Sequence, residues 1–156
     1  IGDIFAGRGV TLSVHTEDNE DGAERTVEQM ERTASGLIFT NLVDFDSKYG
    51  HRRDACGYAQ ALERFDLHLP RIIARVKPNE LLILCADHGN DPTHAGFDHT
   101  REYIPLLVYG RDIPKACDVG TRSSFADIGA TVAEALGVAP LPVGKSFLSL
   151  ISDSRG

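Results

Sequence analysis

Residues 81–109 read LLILCADHGNDPTHAGFDHTREYIPLLVY: an apolar run, a polar stretch crowded with aspartate and histidine, and a second apolar run. The runs at 81–86 and 103–109 have the length and composition of strands, and the stretch at 87–102, broken by Pro92, Gly89 and Gly96, reads as a long loop between them. Asp87, His88 and His99 all fall in that loop.

Working upstream, the turn KPNE at 77–80 ends a helical pattern that begins after Asp54, a residue suited to cap it. Tyr58, Ala61, Leu62, Phe65 and Leu69 form its apolar stripe, which continues through Ile72, Ile73 and Val76, and Pro70 is expected to kink or split it. Before Asp54 lies a loop at 44–53 that carries Asp46 and His51, and before that a run at 37–43 whose β-branched, nearly continuous apolar content suits a strand covered on both faces. Ala23, Val27, Met30 and Ala34 recur at helical spacing, with Gly36 as a stop. Residues 1–22 are rich in Gly and acidic residues and read as an irregular connector, with strand-like alternation only at 10–14. Downstream, Ser123 or Ser124 caps a helix whose Phe125, Ile128, Val132 and Leu136 share a face and which Gly137 ends. The alternation of helix and strand predicts α/β layers in one domain or part of one.

Asp46, His51, Asp87, His88 and His99 mix carboxylate with imidazole, a set that suits Zn²⁺, Mn²⁺ or Fe²⁺ better than Ca²⁺. Five such groups exceed what one catalytic ion with an open position takes, so two divalent ions are expected, an arrangement suited to in-line displacement at phosphorus. Both loops follow a predicted strand, where open α/β sheets place their ligands. Each spacing taken alone is unspecific, because Asp-His pairs are common without a metal.

The formal charge is −7, from 23 acidic against 16 basic residues, and no basic run tracks a nucleic-acid backbone. No stretch is apolar enough to span a bilayer. Neither nucleic acid nor membrane is therefore expected as a partner. Cys56, Cys85 and Cys117 are odd in number and widely spaced, which predicts reduced thiols and a cytoplasmic setting, with Cys85 a buried small hydrophobe. The chain opens on Ile1 and its single methionine is Met30, so we expect a piece of a longer protein.

VDFDSKYGHRRD, CADHGNDPTHAGFDHTREYIPLLVYG, SFADIGATVAEALGV and the opening GDIFAGRGVT together resemble the carboxyl-terminal part of the phosphopentomutase family, within the alkaline phosphatase superfamily. The resemblance covers nearly the whole chain. DHGN alone is unspecific, being similar to segments of cofactor-independent phosphoglycerate mutases, whereas YGHRRD and DHTREYIPLLVYG are more specific. It implies an alkaline-phosphatase-like sandwich, a central mostly parallel sheet covered by helices, with residues 1–22 returning from a missing cap domain and 23–156 forming the carboxyl-terminal part of the metal-binding core. It implies that Asp46, His51 and His99 hold one manganese ion and Asp87 and His88 the other, completed by an aspartate nearer the amino terminus. The nucleophile it implies is a phosphothreonine in the missing amino-terminal part, which neither Thr40 nor Thr93 matches. The implied reaction interconverts (deoxy)ribose 1-phosphate and (deoxy)ribose 5-phosphate. The alternatives are a phosphoglycerate mutase-like or phosphatase relative and a non-catalytic metal-binding fragment.

Arg52, Arg53 and His94 lie beside the ligands and are candidates for gripping the substrate phosphate, against the plainer reading of surface ion pairs and a solvated loop histidine. Asp44, Asp91 and Asp98 are candidate acceptors for the imidazole N–H groups. His15 and His68 read as structural.

Overall fold

The computed structural model describes residues 2, 5–113 and 116–152, so parts of the expected connector and of the end of the core segment lie outside it. Helix α1, Asn19–Arg32, is capped by Asp18, whose Oδ1 accepts the Asp21 N–H at 2.8 Å. It starts before Ala23, inside the segment read as connector, and Gly22 is part of its buried face. A Cβ on Gly22 would lie 2.8 Å from Leu42 Cδ2, so the glycine permits close packing and does not break the helix.

Helix α2, Ala55–Ile73, is capped as the sequence predicts: Asp54 Oδ1 accepts from Gly57 N–H at 2.9 Å. Pro70 does not split it, and the Ala74 N–H still reaches the Pro70 carbonyl at 3.0 Å. Ala23 and Val27 of α1, with Ala61 and Ile72 of α2 and Val76 just beyond, are buried. Across this contact Arg64 faces Glu20 at 3.3 Å, Arg71 faces Glu24 at 3.7 Å and Arg75 faces Glu31 at 2.8 Å. These exposed pairs add little stability each. Their matching order nonetheless shows that α1 and α2 run in the same direction, so the chain between them must return along α1.

That return is the segment 37–43. Thr40 Oγ1 lies 2.6 Å from Thr26 Oγ1, Leu42 sits on Gly22, and the Asp44 N–H reaches Asn19 Oδ1 at 3.0 Å, so the segment runs antiparallel to α1. Seven extended residues span about 23 Å, close to the roughly 21 Å of a fourteen-residue helix. It was expected to be a strand covered on both faces. Among the described residues it pairs with no strand, and Leu37, Phe39 and Val43 are 60%, 60% and 51% exposed.

The described residues form one sheet, of β1 (Leu82–Cys85) and β2 (Leu106–Tyr109), antiparallel with Leu82 opposite Tyr109 and Cys85 opposite Leu106. The expected mostly parallel central sheet is therefore not formed among them. A loop without a helix can fold back on the adjacent strand, whereas a parallel partner needs a crossover connection. Cys85 is exposed at the end of β1, not buried as expected.

Helix α3, Ala126–Ala135, matches its predicted limits closely: Ser124 Oγ accepts from Ala126 N–H at 3.1 Å. At its end the Val138 and Gly137 N–H groups reach the Ala133 and Glu134 carbonyls at 3.1 and 3.0 Å, with Gly137 at φ 64°. This is the Schellman pattern, which needs a left-handed residue and so favours glycine. Phe147, which precedes α4 (Leu148–Ile151), is fully buried beneath Arg122 at 5.5 Å from ring centroid to Cζ, and its N–H donates to Thr131 Oγ1 at 3.0 Å.

Beside Phe147, Asp127 Oδ1 accepts the Lys145 N–H at 2.8 Å and Oδ2 accepts from Arg122 Nε at 2.9 Å. The Lys145 N–H, followed by Arg122, holds the Asp127 carboxyl below its usual range. A depressed carboxylate contributes stability that is present above its unfolded pKa, about 3.9, and is lost as pH falls through the folded value. The melting temperatures of wild type and Asp127→Asn should therefore differ at neutral pH and converge as pH falls below about 4. A gap that does not narrow on acidification would show that the ionised carboxylate is not what stabilises this corner.

Candidate metal centre

Residues 44–53 were expected to be an irregular loop. They contain a π-helical turn, Phe45–Gly50, ended by His51, whose N–H reaches the Asp46 carbonyl at 2.9 Å. Such turns place side chains off the usual helical spacing and recur at functional sites. Asn19 at the start of α1 anchors this one: its N–H donates to Asp44 Oδ2 at 3.2 Å and its Oδ1 accepts the Asp44 N–H at 3.0 Å. Asp44 also takes Lys48 Nζ at 3.0 Å, so it positions the turn instead of an imidazole.

The second loop closes on itself. Gly89 and Thr100 form an isolated antiparallel bridge, and Thr100 Oγ1 accepts the Asp91 N–H at 2.7 Å. Asp91 Oδ1 in turn accepts from the Thr93 N–H at 2.8 Å and hydroxyl at 2.7 Å, which hold the Asp91 carboxyl below its usual range. Asp91 thus shapes the loop.

The two loops bring Asp46, His51, His88 and His99 together. Asp46 Oδ2 lies 3.4 Å from His51 Nε2 and Oδ1 lies 3.4 Å from His99 Nε2. Two ligands on one tetrahedral ion, with bonds of about 2.0–2.1 Å, stand apart by nearly that distance. One ligand atom from each of Asp46, His88 and His99 falls within 4.8 Å of the others, and the His88 ring stacks on His99 at 3.8 Å between centroids. Asp87 is the outlier: its side chain is 77% exposed, with Oδ1 3.6 Å from His88 Nε2.

The imidazoles take their acceptors from backbone. His51 Nδ1 lies 2.6 Å from the Phe97 carbonyl and His88 Nδ1 lies 3.3 Å from the Gly89 carbonyl. A carbonyl only accepts, so the proton sits on Nδ1, which leaves Nε2, the atom of His51 that faces Asp46, as the one available to a metal. These roles had been expected of Asp44, Asp91 and Asp98. Burial, and then the charge of Asp46, raise the Tyr58 phenol above its usual range, so Tyr58 is neutral beside the centre.

Arg52 and His94 are exposed. Arg53 is engaged: its guanidinium donates to the carbonyls of Gly50 (3.0 Å), Asp91 (2.8 Å), Asp98 (2.6 Å) and Gly96, and to Asn90 Oδ1 (2.6 Å). Asn90 and the Phe97 carbonyl were missed by the sequence reading. Asn90, inside DHGND, carries a residue type that could have been weighed, but a backbone carbonyl leaves no signal in composition. A cleft of about 260 Å³ between α1 and α2 is lined by none of the five proposed ligands.

A family model described as the metalloenzyme superfamily matches residues 3–140. The chain belongs to the metalloenzyme superfamily. Among curated relatives it is 56% identical over 151 residues to the phosphopentomutase of Symbiobacterium thermophilum, covering 97% of this chain and 38% of that protein. It is 54% identical over 147 residues to the phosphopentomutase of Clostridioides difficile, covering 94% and 38%, and 51% identical over 151 residues to that of Alkaliphilus metalliredigens, covering 97% and 39%. The chain thus spans under two fifths of the length of these relatives. None of its described helices is long and apolar enough to cross a membrane.

Proposed function

We propose that this chain supplies most of the two-metal centre of a phosphopentomutase, which interconverts (deoxy)ribose 1-phosphate and (deoxy)ribose 5-phosphate. The reading rests on the strong identity to phosphopentomutases across nearly the whole chain, and Asp46 between two imidazoles at metal-ligand separation supports it. In this reading Asp46, His51 and His99 hold one ion and Asp87 and His88 part of the other. The mixed oxygen and nitrogen set suits Mn²⁺, Zn²⁺ or Fe²⁺, and among these the resemblance to phosphopentomutases favours Mn²⁺. Bound there, the ions would offset charge on a transferred phosphoryl group and hold attacking and leaving oxygens in line. In this reading Arg52 and His94, both exposed, are the residues that would meet the substrate phosphate, since the donors of Arg53 are already engaged.

The ligands lie open, with the His51 and His99 side chains 39% and 47% exposed. A mutase must keep water from its phosphoryl group. The remainder of the longer protein would supply that cover, the last metal ligand, the phosphothreonine and the strands of a mostly parallel sheet, and a cytoplasmic setting fits the three free thiols.

The full-length protein should convert ribose 1-phosphate to ribose 5-phosphate in the presence of Mn²⁺ and leave 3-phosphoglycerate unchanged. The present chain alone should do neither, since in this reading the phosphothreonine nucleophile belongs to the rest of the longer protein. Turnover of 3-phosphoglycerate by the full-length protein, with none of the pentose, would replace this reading with the phosphoglycerate mutase alternative.

A further inference from the structure

Arg53 occupies a backbone conformation that its residue type avoids. Its φ is 55°, in the left-handed region, one residue before the cap of α2. A non-glycine residue persists there only where its surroundings hold it, and such outliers cluster at functional sites. What holds this one is the guanidinium, which takes five acceptors: Gly50 in the π-turn, and Asn90, Asp91, Gly96 and Asp98 in the second loop. The planar fork of arginine is suited to satisfying several fixed oxygens at once, and lysine is not.

Through Asn90 the chain of contacts reaches the metal centre. Asn90 Oδ1 accepts from Arg53 Nη1 at 2.6 Å, and Asn90 Nδ2 donates to Asp46 Oδ1 at 2.6 Å. The first bond fixes which way the carboxamide faces. A reversed amide would set its oxygen against the Asp46 carboxylate and its NH₂ against a guanidinium that can only donate. Gly50 leaves room for this, since a Cβ there would lie 2.5 Å from Asn90 Nδ2. Arg53 also holds Gly96 and Asp98, which flank Phe97, whose carbonyl orients His51.

We infer that Arg53 is a positioning residue: acting through Asn90 on Asp46 and through the 96–98 backbone on His51, it sets the two ligands of the first loop against His99 of the second. The inference rests on the proposed metal centre and gives Arg53 a role other than gripping substrate. Partners that orient metal ligands are worth about 10–100-fold in affinity.

The test is Mn²⁺ titration of the full-length protein without substrate, for wild type, Arg53→Ala, Arg53→Lys, Asn90→Ala and the Arg53→Ala/Asn90→Ala pair, with pentose phosphate KM measured separately at saturating Mn²⁺. Arg53→Ala and Asn90→Ala should each weaken Mn²⁺ binding about 10–100-fold, and Arg53→Lys should not restore it. The pair should lose less than the product of the single losses, because both act along one path. Should Arg53→Ala fail to fold, Asn90→Ala, which leaves the strut in place, decides by itself. Unchanged Mn²⁺ affinity in Asn90→Ala, or in a folded Arg53→Ala whose KM rises, would overturn the inference, the latter in favour of a phosphate grip. A wild type that binds no Mn²⁺ would instead remove the metal centre itself, and the inference with it.

Discussion

Asp46→Asn in the full-length protein is expected to lower mutase turnover by more than about a hundredfold and to remove about one ion from the purified protein, since losing a ligand should cost more than losing a partner that merely orients one. The reason lies in how both carboxylate oxygens are used. Oδ1 faces His99 and accepts from Asn90, while Oδ2 faces His51. Asparagine keeps one oxygen and replaces the other with an NH₂ that can only donate, so one of these faces must meet the wrong group. It also removes the negative charge that would offset a divalent ion. The fold should survive, because Asp46 is only partly buried and belongs to a turn anchored independently through Asn19 and Asp44. His88→Ala should give a comparable loss of turnover. Elemental analysis of the purified variants is the decisive measurement: full metal content in Asp46→Asn would sink the assignment of Asp46 as a ligand, whatever happens to activity.

The sequence was legible where structure is decided locally. Asp54 and Gly137 are each recognisable by residue type and each caps a helix as read, while Ser124, one residue before the Phe125 cap of α3, still accepts from the Ala126 N–H. Local composition also misled at residues 19–22, which read as connector because the segment is rich in Gly and acidic residues; what seats Gly22 in the helix, close approach of Leu42 twenty residues on, is invisible in a window of sequence. The π-turn escaped for a related reason. Its bonds run five residues back, and neither a period of 3.6 nor a period of 2 detects them. All five proposed ligands were named from residue type and position, and the structure brings four of them together, but the bonds of Arg53 could not be read, since nothing in YGHRRD says that four oxygens from a loop some forty residues later will converge on the second arginine. The direction of β2 was equally hidden, because composition marks a strand without naming its neighbour.

The segment 37–43 gives the sharpest separation between what this chain does alone and what a longer protein would do with it. Its inner side rests on α1 through Thr40 and Leu42, while Leu37, Phe39 and Val43 present an apolar outer side to solvent. An extended apolar run with no strand beside it among the described residues invites pairing with another chain. In the present chain Phe39→Lys should therefore be nearly neutral for stability, within about 0.5 kcal/mol, as for other exposed positions, and should reduce self-association. In the full-length protein, where we propose that further strands and helices cover this side, the same change should destabilise by about 3–5 kcal/mol, the range for losing a buried aromatic side chain. Sedimentation of the short chain and denaturant unfolding of the long one measure the two halves. If Phe39→Lys is as harmless in the long protein as in the short, the run at 37–43 is a surface segment, and the central sheet of the complete fold must be built without it.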